Sequence, residues 1–243
     1  MIKLSVIIPA YNEDAIIEQT LMNVYSYLSI QSYTSEIIVI VNNSTDKTEL
    51  VAENTKKAID ILRVYNIGTH ESETMTKGLA VKSGVEYAVG EYVLFMDADN
   101  ATSITEIENF WPAFDAGADA VIASRYVHGA RITVLQPWHR TLASRIGNLL
   151  IRTVLLPKIH DTQCGFKMFR AKAAKFVFEK MTILGWGFDL EILSLLKLYD
   201  YKIKELPVVW HDVKRGRVKF EHFIATFKEV FLIRKKIDLG EYK

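Results

Sequence analysis

The sequence predicts an α/β protein built on a mainly parallel β-sheet, with helices covering both faces of the sheet. Short β-rich runs alternate with longer helical patterns through the first half of the chain, which is typical of βαβ units. Several runs, such as residues 36–41, are apolar at successive positions, as expected when both faces of a sheet are covered. Polar residues follow each run, at the carboxyl ends of strands where such sheets bind ligands.

The first half of the chain accounts for most of the predicted sheet. The predicted strands are residues 3–8, 36–41, 61–66, 92–97 and 119–124. The predicted helices between and after them are residues 14–29, 46–58, 76–89 and 103–116.

The pattern changes after about residue 125, where a polar loop precedes a predicted helix at 138–155. The stretch DTQCGFKMFR at 161–170 follows, and we assign it no helix or strand. Further helices are predicted at 171–180 and 187–199, and a last strand at 202–210. No Pro/Gly/Ser-rich linker or repeat interrupts the chain, so we expect one continuous domain over residues 1–219.

Residues 220–243 are predicted to form a basic amphipathic helix. It follows the segment KRGRVK, and its apolar residues recur at helical spacing: Phe220, Phe223, Ile224, Phe227, Val230 and Phe231. Such a helix either packs on the domain or lies on an anionic membrane surface, and the sequence leaves both open.

Composition excludes several classes of protein. The formal net charge of +1 gives no overall attraction to nucleic acid. A single cysteine, Cys164, excludes an intrachain disulfide and favours a reducing compartment. No run approaches the roughly 20 apolar residues of a membrane-spanning helix. We therefore expect a cytoplasmic protein whose membrane contact, if any, is peripheral, while the oligomeric state is not predicted.

Two carboxylates, Asp97 and Asp99, end the apolar run YVLFMD. Like charges so close repel unless a cation lies between them or one carboxyl takes a proton. Oxygen ligands of this kind suit Mg²⁺ or Mn²⁺, which bridge carboxylates to substrate phosphates. The pair therefore predicts a site for a divalent cation.

Five motifs, in this order, resemble those of family 2 glycosyltransferases of the GT-A fold: SVIIPAYNE, FMDADNAT, ASRY, DTQCGFKMFR and GWGFDLEIL. The DTQCGFK segment is similar to the branch that transfers hexoses to polyprenyl phosphates such as dolichyl or undecaprenyl phosphate. The resemblance spans roughly residues 4–210 and implies a GT-A, Rossmann-like sheet.

On the donor side, the resemblance implies that Asp97 contacts the nucleotide or the metal and that Asp99 is the principal metal ligand. It also implies a nucleoside pocket formed by a set of residues in PAYNE. These residues are Pro9, Ala10, Tyr11 and Glu13. Lys77 matches a basic position of the family, and near a diphosphate its ammonium group would make a charge-assisted contact.

On the acceptor side, the resemblance implies that Arg125, Arg140 and Ser144 bind the lipid phosphate. Arg140 and Ser144 are four residues apart on a predicted helix, so both can face one phosphate.

The remaining acidic candidates are Asp161 and the pair Asp189 and Glu191, which lies at a predicted helix start where carboxylates also cap the helix and favour its dipole. The resemblance places Asp161 close to the reacting carbon and Asp189 beside the sugar or the acceptor. A hydroxyl acceptor requires a general base. A phosphate monoester, with a second pKa of about 6, is already largely dianionic at neutral pH. Asp161 is therefore either a base or a residue that orients the sugar or an arginine.

The chain departs from the family pattern at Val41-Asn42-Asn43, where the family commonly has Asp-Asp-Gly. A valine side chain cannot accept a hydrogen bond from a nucleobase. Base recognition must come from Asn42, from Asp46 or from backbone groups, so this departure leaves the nucleobase open. UDP-glucose is the favoured donor, with GDP- and dTDP-sugars as alternatives.

These observations together predict an inverting, metal-dependent hexosyltransferase that uses a nucleotide diphosphate sugar and a polyprenyl phosphate. Two alternatives remain. One is a soluble family 2 glycosyltransferase with a hydroxyl acceptor, and the other is a catalytically silent protein that binds nucleotide sugars.

Overall fold

The computed structural model describes residues 1–68, 77–134, 138–211 and 220–242, without the side chains of residues 138–144, 146 and 220–224. The strands are β1 (Leu4–Ala10), β2 (Ser35–Val41), β3 (Leu62–Asn66), β4 (Tyr92–Met96), β5 (Ala120–Ser124), β6 (Arg131–Ile132), β7 (Phe166–Arg170), β8 (Ile203–Pro207) and β9 (Val209–Trp210). The helices are α1 (Ile17–Leu28), α2 (Thr48–Thr55), α3 (Lys77–Tyr87), α4 (Trp111–Asp115), α5 (Trp138–Val154), α6 (Ala171–Lys180), α7 (Phe188–Leu198) and α8 (Phe220–Leu239), with a 3-10 helix at Ile104–Asn109.

Seven strands form the central sheet in the order β3-β2-β1-β4-β7-β5-β8. β7 runs antiparallel to both of its neighbours, β4 and β5, whereas the other neighbouring strands pair in parallel. A separate two-residue ladder joins β6 and β9 in parallel. The predicted α/β class and mainly parallel sheet are confirmed.

The structure corrects three element assignments. The unassigned stretch at 161–170 contains β7, which lies in the middle of the sheet. The helix predicted at 103–116 is a 3-10 helix followed by α4, and Pro112 lies at the start of α4, where it lacks an N–H for the preceding turn. The strand predicted at 202–210 is divided after Pro207 into β8 and β9, which pair with different partners.

Both faces of the sheet are buried, and each face has its own apolar core. Along β1, Ile7 packs into the cluster that contains α3, α6, α7 and the inner face of α8. Val6 and Ile8 pack on the opposite face with α1, α2 and α4. This alternation follows from the two-residue period of a strand and explains the continuously apolar strand sequences.

Helix α8 packs on the domain through one face and exposes another. Val230 and Ile233 are almost fully buried. On the outer face the exposed apolar residues are Phe231, Leu232 and Leu239, at 57%, 44% and 63% exposure. Among the helices that the structure describes, none combines the length and the hydrophobicity needed to cross a bilayer.

Candidate active site

The ends of four parallel strands and the beginning of β7 meet at one edge of the sheet. Ala10 at the end of β1 is paired with Val41 at the end of β2. Because β7 is antiparallel, its first residue, Phe166, is paired with Met96 at the end of β4. The loop that precedes β7 therefore lies beside the segments that follow β4 and β5, at the same edge as the segments that follow β1 and β2.

The segments after β1 and β2 are joined by hydrogen bonds between side chains and backbone. Asn12, at a φ of 53°, accepts at Oδ1 a hydrogen bond from the Thr45 N–H at 2.7 Å. The Glu13 N–H donates to Oγ1 of Thr48 at 2.7 Å. Pro9 and Ala10 form the end of β1, and Tyr11 is 38% exposed at the same edge. The four residues assigned to a nucleoside pocket thus lie together at the carboxyl end of β1, although Ala10 itself is only 2% exposed.

The end of β2 carries the departure from the family pattern. Val41 is 1% exposed and belongs to the apolar core, so its side chain does not face the edge. Asn42 is equally buried, and its N–H donates to the Ala10 carbonyl at 3.1 Å. Burial would raise the pKa of Asp46, but hydrogen bonds from Thr48 outweigh burial and lower it. Asp46 is therefore engaged in shaping the loop, and Asn42 lies closest to the strand end.

Asp97 and Asp99 follow β4, and Lys77 lies beside them. Nζ of Lys77, at the start of α3, is 2.8 Å from Oδ1 of Asp97. Burial alone would lower the pKa of Lys77, but the carboxylates of Asp97 and Asp189 raise it to about 12. Burial, with the negative charge of Asp97, raises the pKa of Asp99. The two carboxylates therefore repel each other, and a cation bound between them would reduce this repulsion.

Gly165 is required for this arrangement. Its carbonyl accepts a hydrogen bond from the Asp97 N–H at 3.0 Å. A Cβ at this position would lie 1.9 Å from Oδ2 of Asp97, which is far inside any allowed contact. Only glycine lets the loop before β7 approach the Asp97 carboxylate so closely.

The residues fit a divalent cation that the substrate helps to hold. Asp97 is 36% exposed, so its carboxylate is accessible from the edge of the sheet. Within the part of the chain that the structure describes, no group of three His, Cys, Asp or Glu side chains forms a closed metal site. Two carboxylates with open coordination positions suit Mg²⁺ or Mn²⁺, which take further oxygens from substrate phosphates.

Arg125, directly after β5, forms a two-pronged ion pair with Asp161. Nε donates to Oδ2 at 2.7 Å, Nη2 donates to Oδ1 at 2.9 Å, and the Arg125 N–H donates to Oδ2 at 3.0 Å. Asp161 is fully buried, whereas the Arg125 side chain remains 18% exposed. Burial would raise the pKa of Asp161, but Arg125 outweighs burial and lowers it.

Glu205 of β8 accepts hydrogen bonds from the backbone of the loop that carries Asp161. Its carboxylate accepts the Asp161 N–H at 2.7 Å and the His160 N–H at 2.9 Å. The loop at residues 160–161 is therefore fixed to β8, and the Asp161 carboxylate is directed toward Arg125. Asp161 is paired with an arginine in this structure, and which of the two roles it has in the reaction stays a prediction.

Asp189, in the first turn of α7, is paired with a buried lysine. Nζ of Lys167 in β7 donates to Oδ1 of Asp189 at 2.5 Å and to the Cys164 carbonyl at 2.7 Å. Lys167 is fully buried and the Asp189 side chain is 4% exposed. Burial raises the pKa of Asp189, and Lys167 and Lys77 oppose that rise.

Two residues predicted to bind the acceptor phosphate, Arg140 and Ser144, have side chains that the structure does not describe. Both residues belong to α5. Their assignment to the acceptor phosphate stays a prediction.

Sequence reasoning missed three residues that shape the site: Gly165, Lys167 and Glu205. The signal for Lys167 was present, because a lysine inside the apolar run GFKMF has to be paired if that run is buried. Glu205 carried no comparable signal, since an acidic residue in a strand at the edge of a sheet is ordinarily solvated.

Comparisons with known proteins agree with the geometry. The sequence profile described as glycosyl transferase family 2 matches residues 5–178. Dolichyl-phosphate beta-glucosyltransferase ALG5A of Trichomonas vaginalis is 30% identical, covering 99% of this chain and 75% of that protein. Dolichyl-phosphate beta-glucosyltransferase of Saccharomyces cerevisiae is 31% identical, covering 99% and 76%.

A solved structure shows the same fold. The crystal structure of glucosyl-3-phosphoglycerate synthase from Mycobacterium tuberculosis in complex with phosphoglyceric acid superposes with a TM-score of 0.67. It is 19% identical, and the match covers 96% of this chain and 79% of that chain. The same protein is also known in complex with Mn²⁺ and uridine diphosphate. The resemblance drawn from the motifs, and with it the expected GT-A fold, is confirmed.

Proposed function

The chain belongs to glycosyl transferase family 2, and on that premise we propose that it transfers glucose from a nucleotide diphosphate sugar to a polyprenyl phosphate. UDP-glucose is the proposed donor, dolichyl or undecaprenyl phosphate the proposed acceptor, and the anomeric carbon is inverted in a single displacement. The names of the relatives, which are dolichyl-phosphate beta-glucosyltransferases, support this choice of sugar and acceptor.

The observation that carries the proposal is that both candidate bases are buried in ion pairs. Asp161 uses both carboxylate oxygens on Arg125, and Asp189 is held by Lys167. A proton taken up by either carboxylate would break its ion pair inside a buried site, which is costly. An acceptor phosphate reaches the site already deprotonated and needs no base. This supports a phosphate acceptor over a hydroxyl acceptor.

We assign the donor side to the ends of β1, β2 and β4. Tyr11 is exposed at the carboxyl end of β1, Asn42 follows β2 with its side chain buried, and Lys77 lies beside Asp97. A divalent cation, when bound by Asp97 and Asp99, would neutralise the charge that develops on the departing diphosphate. Lys77 would supply a further positive charge to the same group.

We assign the acceptor side to Arg125, together with Arg140 and Ser144. Asp161 accepts hydrogen bonds from Nε and Nη2 of Arg125. Among the described residues no other acceptor binds the guanidinium group, so its remaining N–H groups could donate to a phosphate. Holding an attacking phosphate oxygen in line with the anomeric carbon supplies the orientation that such a displacement needs.

A polyprenyl phosphate acceptor also requires contact with a membrane. The outer face of α8, defined by Lys228, Phe231, Leu232, Lys235 and Leu239, combines exposed apolar and basic side chains. Such a face suits peripheral binding to an anionic bilayer surface.

The test is a transfer assay with purified protein, a short polyprenyl phosphate and Mg²⁺ or Mn²⁺. UDP-glucose, GDP-glucose and dTDP-glucose are compared as donors. We expect glucosylated polyprenyl phosphate, with loss of product in Asp99→Ala and retention in Asp238→Ala, which removes an exposed carboxylate on α8. Product from Asp99→Ala at the wild-type rate would refute the cation assignment.

The same assay separates the alternatives. Arg140→Ala should strongly weaken use of a phosphate acceptor and affect a hydroxyl acceptor little. Transfer to a sugar hydroxyl but not to polyprenyl phosphate would favour the soluble glycosyltransferase. Nucleotide-sugar binding with neither hydrolysis nor transfer would favour the catalytically silent protein.

A further inference from the structure

The residues that follow α8, up to Tyr242, fold back onto the turn that carries Asp189 and are called the tail here. Helix α8 ends at Leu239, and Gly240 has a φ of 71°, in the left-handed region that favours glycine. The Glu241 N–H donates to the Lys236 carbonyl at 3.0 Å, which closes a Schellman-type helix end. The reversal turns Tyr242 inward, and its side chain is buried.

Tyr242 binds a buried carboxylate on α7. Its hydroxyl donates to Oε1 of Glu191 at 2.6 Å. Glu191 also accepts the Thr182 N–H at 2.9 Å, the Thr182 hydroxyl at 2.6 Å and the Ile183 N–H at 2.7 Å. This one carboxylate therefore joins the C-terminal tail, the segment between α6 and α7, and α7 itself.

A second contact from α8 reaches the same turn. The carboxylate of Glu229 lies against Gly187, where a Cβ would be only 2.3 Å from Oε2 of Glu229. Burial raises the pKa of Glu229, the Gly187 N–H opposes that rise, and the nearby Glu191 adds to it.

The contacts divide the turn between two faces. Gly187 and Glu191 are four residues apart and lie on the same side of α7, where they meet the tail and α8. Asp189 lies between them in sequence and points to the other side, toward Lys167 and the field of Lys77 and Asp97. The tail thus contacts the side of the turn that carries Glu191, and the opposite side carries Asp189 toward the candidate site.

We propose that Tyr242 is a positioning residue for Asp189. By binding Glu191, Tyr242 fixes the first turn of α7 and with it the direction of the Asp189 carboxylate. This inference rests on the proposed function, because it gives Tyr242, which lies outside the site, a role in the proposed transfer reaction.

The first experiment needs no turnover. Trp186 lies in the segment just before α7, with its ring 5.9 Å from Nζ of Lys77, so its fluorescence reports on the position of this turn. The Trp186 contribution is isolated as the difference between each protein and its Trp186→Phe version. We expect Tyr242→Phe to shift that contribution and Tyr199→Phe to leave it unchanged.

Tyr199→Phe is the matched control. The Tyr199 hydroxyl donates to the Tyr242 carbonyl oxygen, so this variant also removes a hydroxyl bound to the tail, but not one bound to Glu191. If Tyr242→Phe does not accumulate as folded protein, Glu191→Gln, which keeps the size of the side chain, takes its place.

The second experiment is a double-mutant cycle on turnover. Loss of one hydrogen bond should lower kcat of Tyr242→Phe by about fivefold, with the donor KM unchanged. In an Asp189→Asn background the same change should have no further effect, because the residue that it positions is already altered. Full additivity, or an unchanged Trp186 signal in Tyr242→Phe, would overturn the inference. Absence of transfer by the wild-type protein would refute the proposed function, while the fluorescence result would still decide the positioning role.

Discussion

The ion pair between Arg125 and Asp161 gives a sharp prediction for stability. Asp161→Asn removes the negative charge and replaces one acceptor oxygen by an NH₂ group that faces a guanidinium N–H. Asp161 is fully buried, and Arg125 is 18% exposed, so the charge left behind is largely shielded from water. Leaving one partner of a buried pair unpaired costs roughly 3–5 kcal/mol, and the remaining exposure of Arg125 favours the lower end.

This loss should be visible in thermal unfolding. For a chain of this size, about 1 kcal/mol shifts the melting temperature by roughly 2–4 °C, so a loss of about 3 kcal/mol lowers it by roughly 6–12 °C. Circular dichroism at 222 nm, or differential scanning fluorimetry, measures the shift. Asp238→Asn is the matched control, because its partner Arg234 and Asp238 are each 54% exposed. An exposed pair of this kind contributes about 0–1 kcal/mol. If Asp161→Asn melted within about 1 °C of the wild type, the pair would not stabilise the fold and the argument from burial would be wrong.

Three further predictions concern the same region. The pKa of Asp161 is lowered in the fold, so its contribution to stability is complete above its unfolded pKa of about 4 and is lost as the pH falls through the folded value. The difference in free energy of unfolding between wild type and Asp161→Asn, measured by urea titration, should therefore be constant above about pH 4 and shrink below it. Gly165→Ala should displace the Asp97 carboxylate and abolish transfer, whereas Gly117→Ala, at a φ of 89° and remote from the site, should lose stability but retain turnover. Lys167→Met should lower the free energy of unfolding by about 3–5 kcal/mol by leaving Asp189 unpaired, and Lys167→Met/Asp189→Leu should recover most of that loss in the same titration. The first prediction would be contradicted if the difference in free energy of unfolding did not change with pH, and the second if Gly165→Ala remained active. The third would be contradicted if the double variant were no more stable than Lys167→Met.

The sequence predicted the parallel part of the sheet because each strand there carries a local signal. β1, β2, β4 and β5 are apolar runs that end in polar residues, and helical patterns separate them. The edge at which their polar ends meet follows from parallel pairing alone. The position of Asp97 and Asp99 at that edge could therefore be predicted from the residues around them.

β7 was missed because its evidence is not local. The run FKMFR has a lysine at its second position, and its place in the sheet depends on pairing with β4 and β5, which precede it by many residues. The ion pairs escaped prediction for the same reason. Arg125 and Asp161 are 36 residues apart, and Lys167 and Asp189 are 22 apart, so no periodicity links them.

The position of β7 also has a consequence for the order in which the sheet can be completed. β4 has no exposed residue, and one of its edges is covered only by β7, which begins 70 residues after β4 ends. β5 and β8 can join the sheet only through β7. During synthesis, an apolar strand with an unpaired edge is therefore present until residue 170 has emerged and folded back. Such long-range pairing slows folding and exposes a surface that favours aggregation. A fragment that ends before Phe166 would retain that edge permanently.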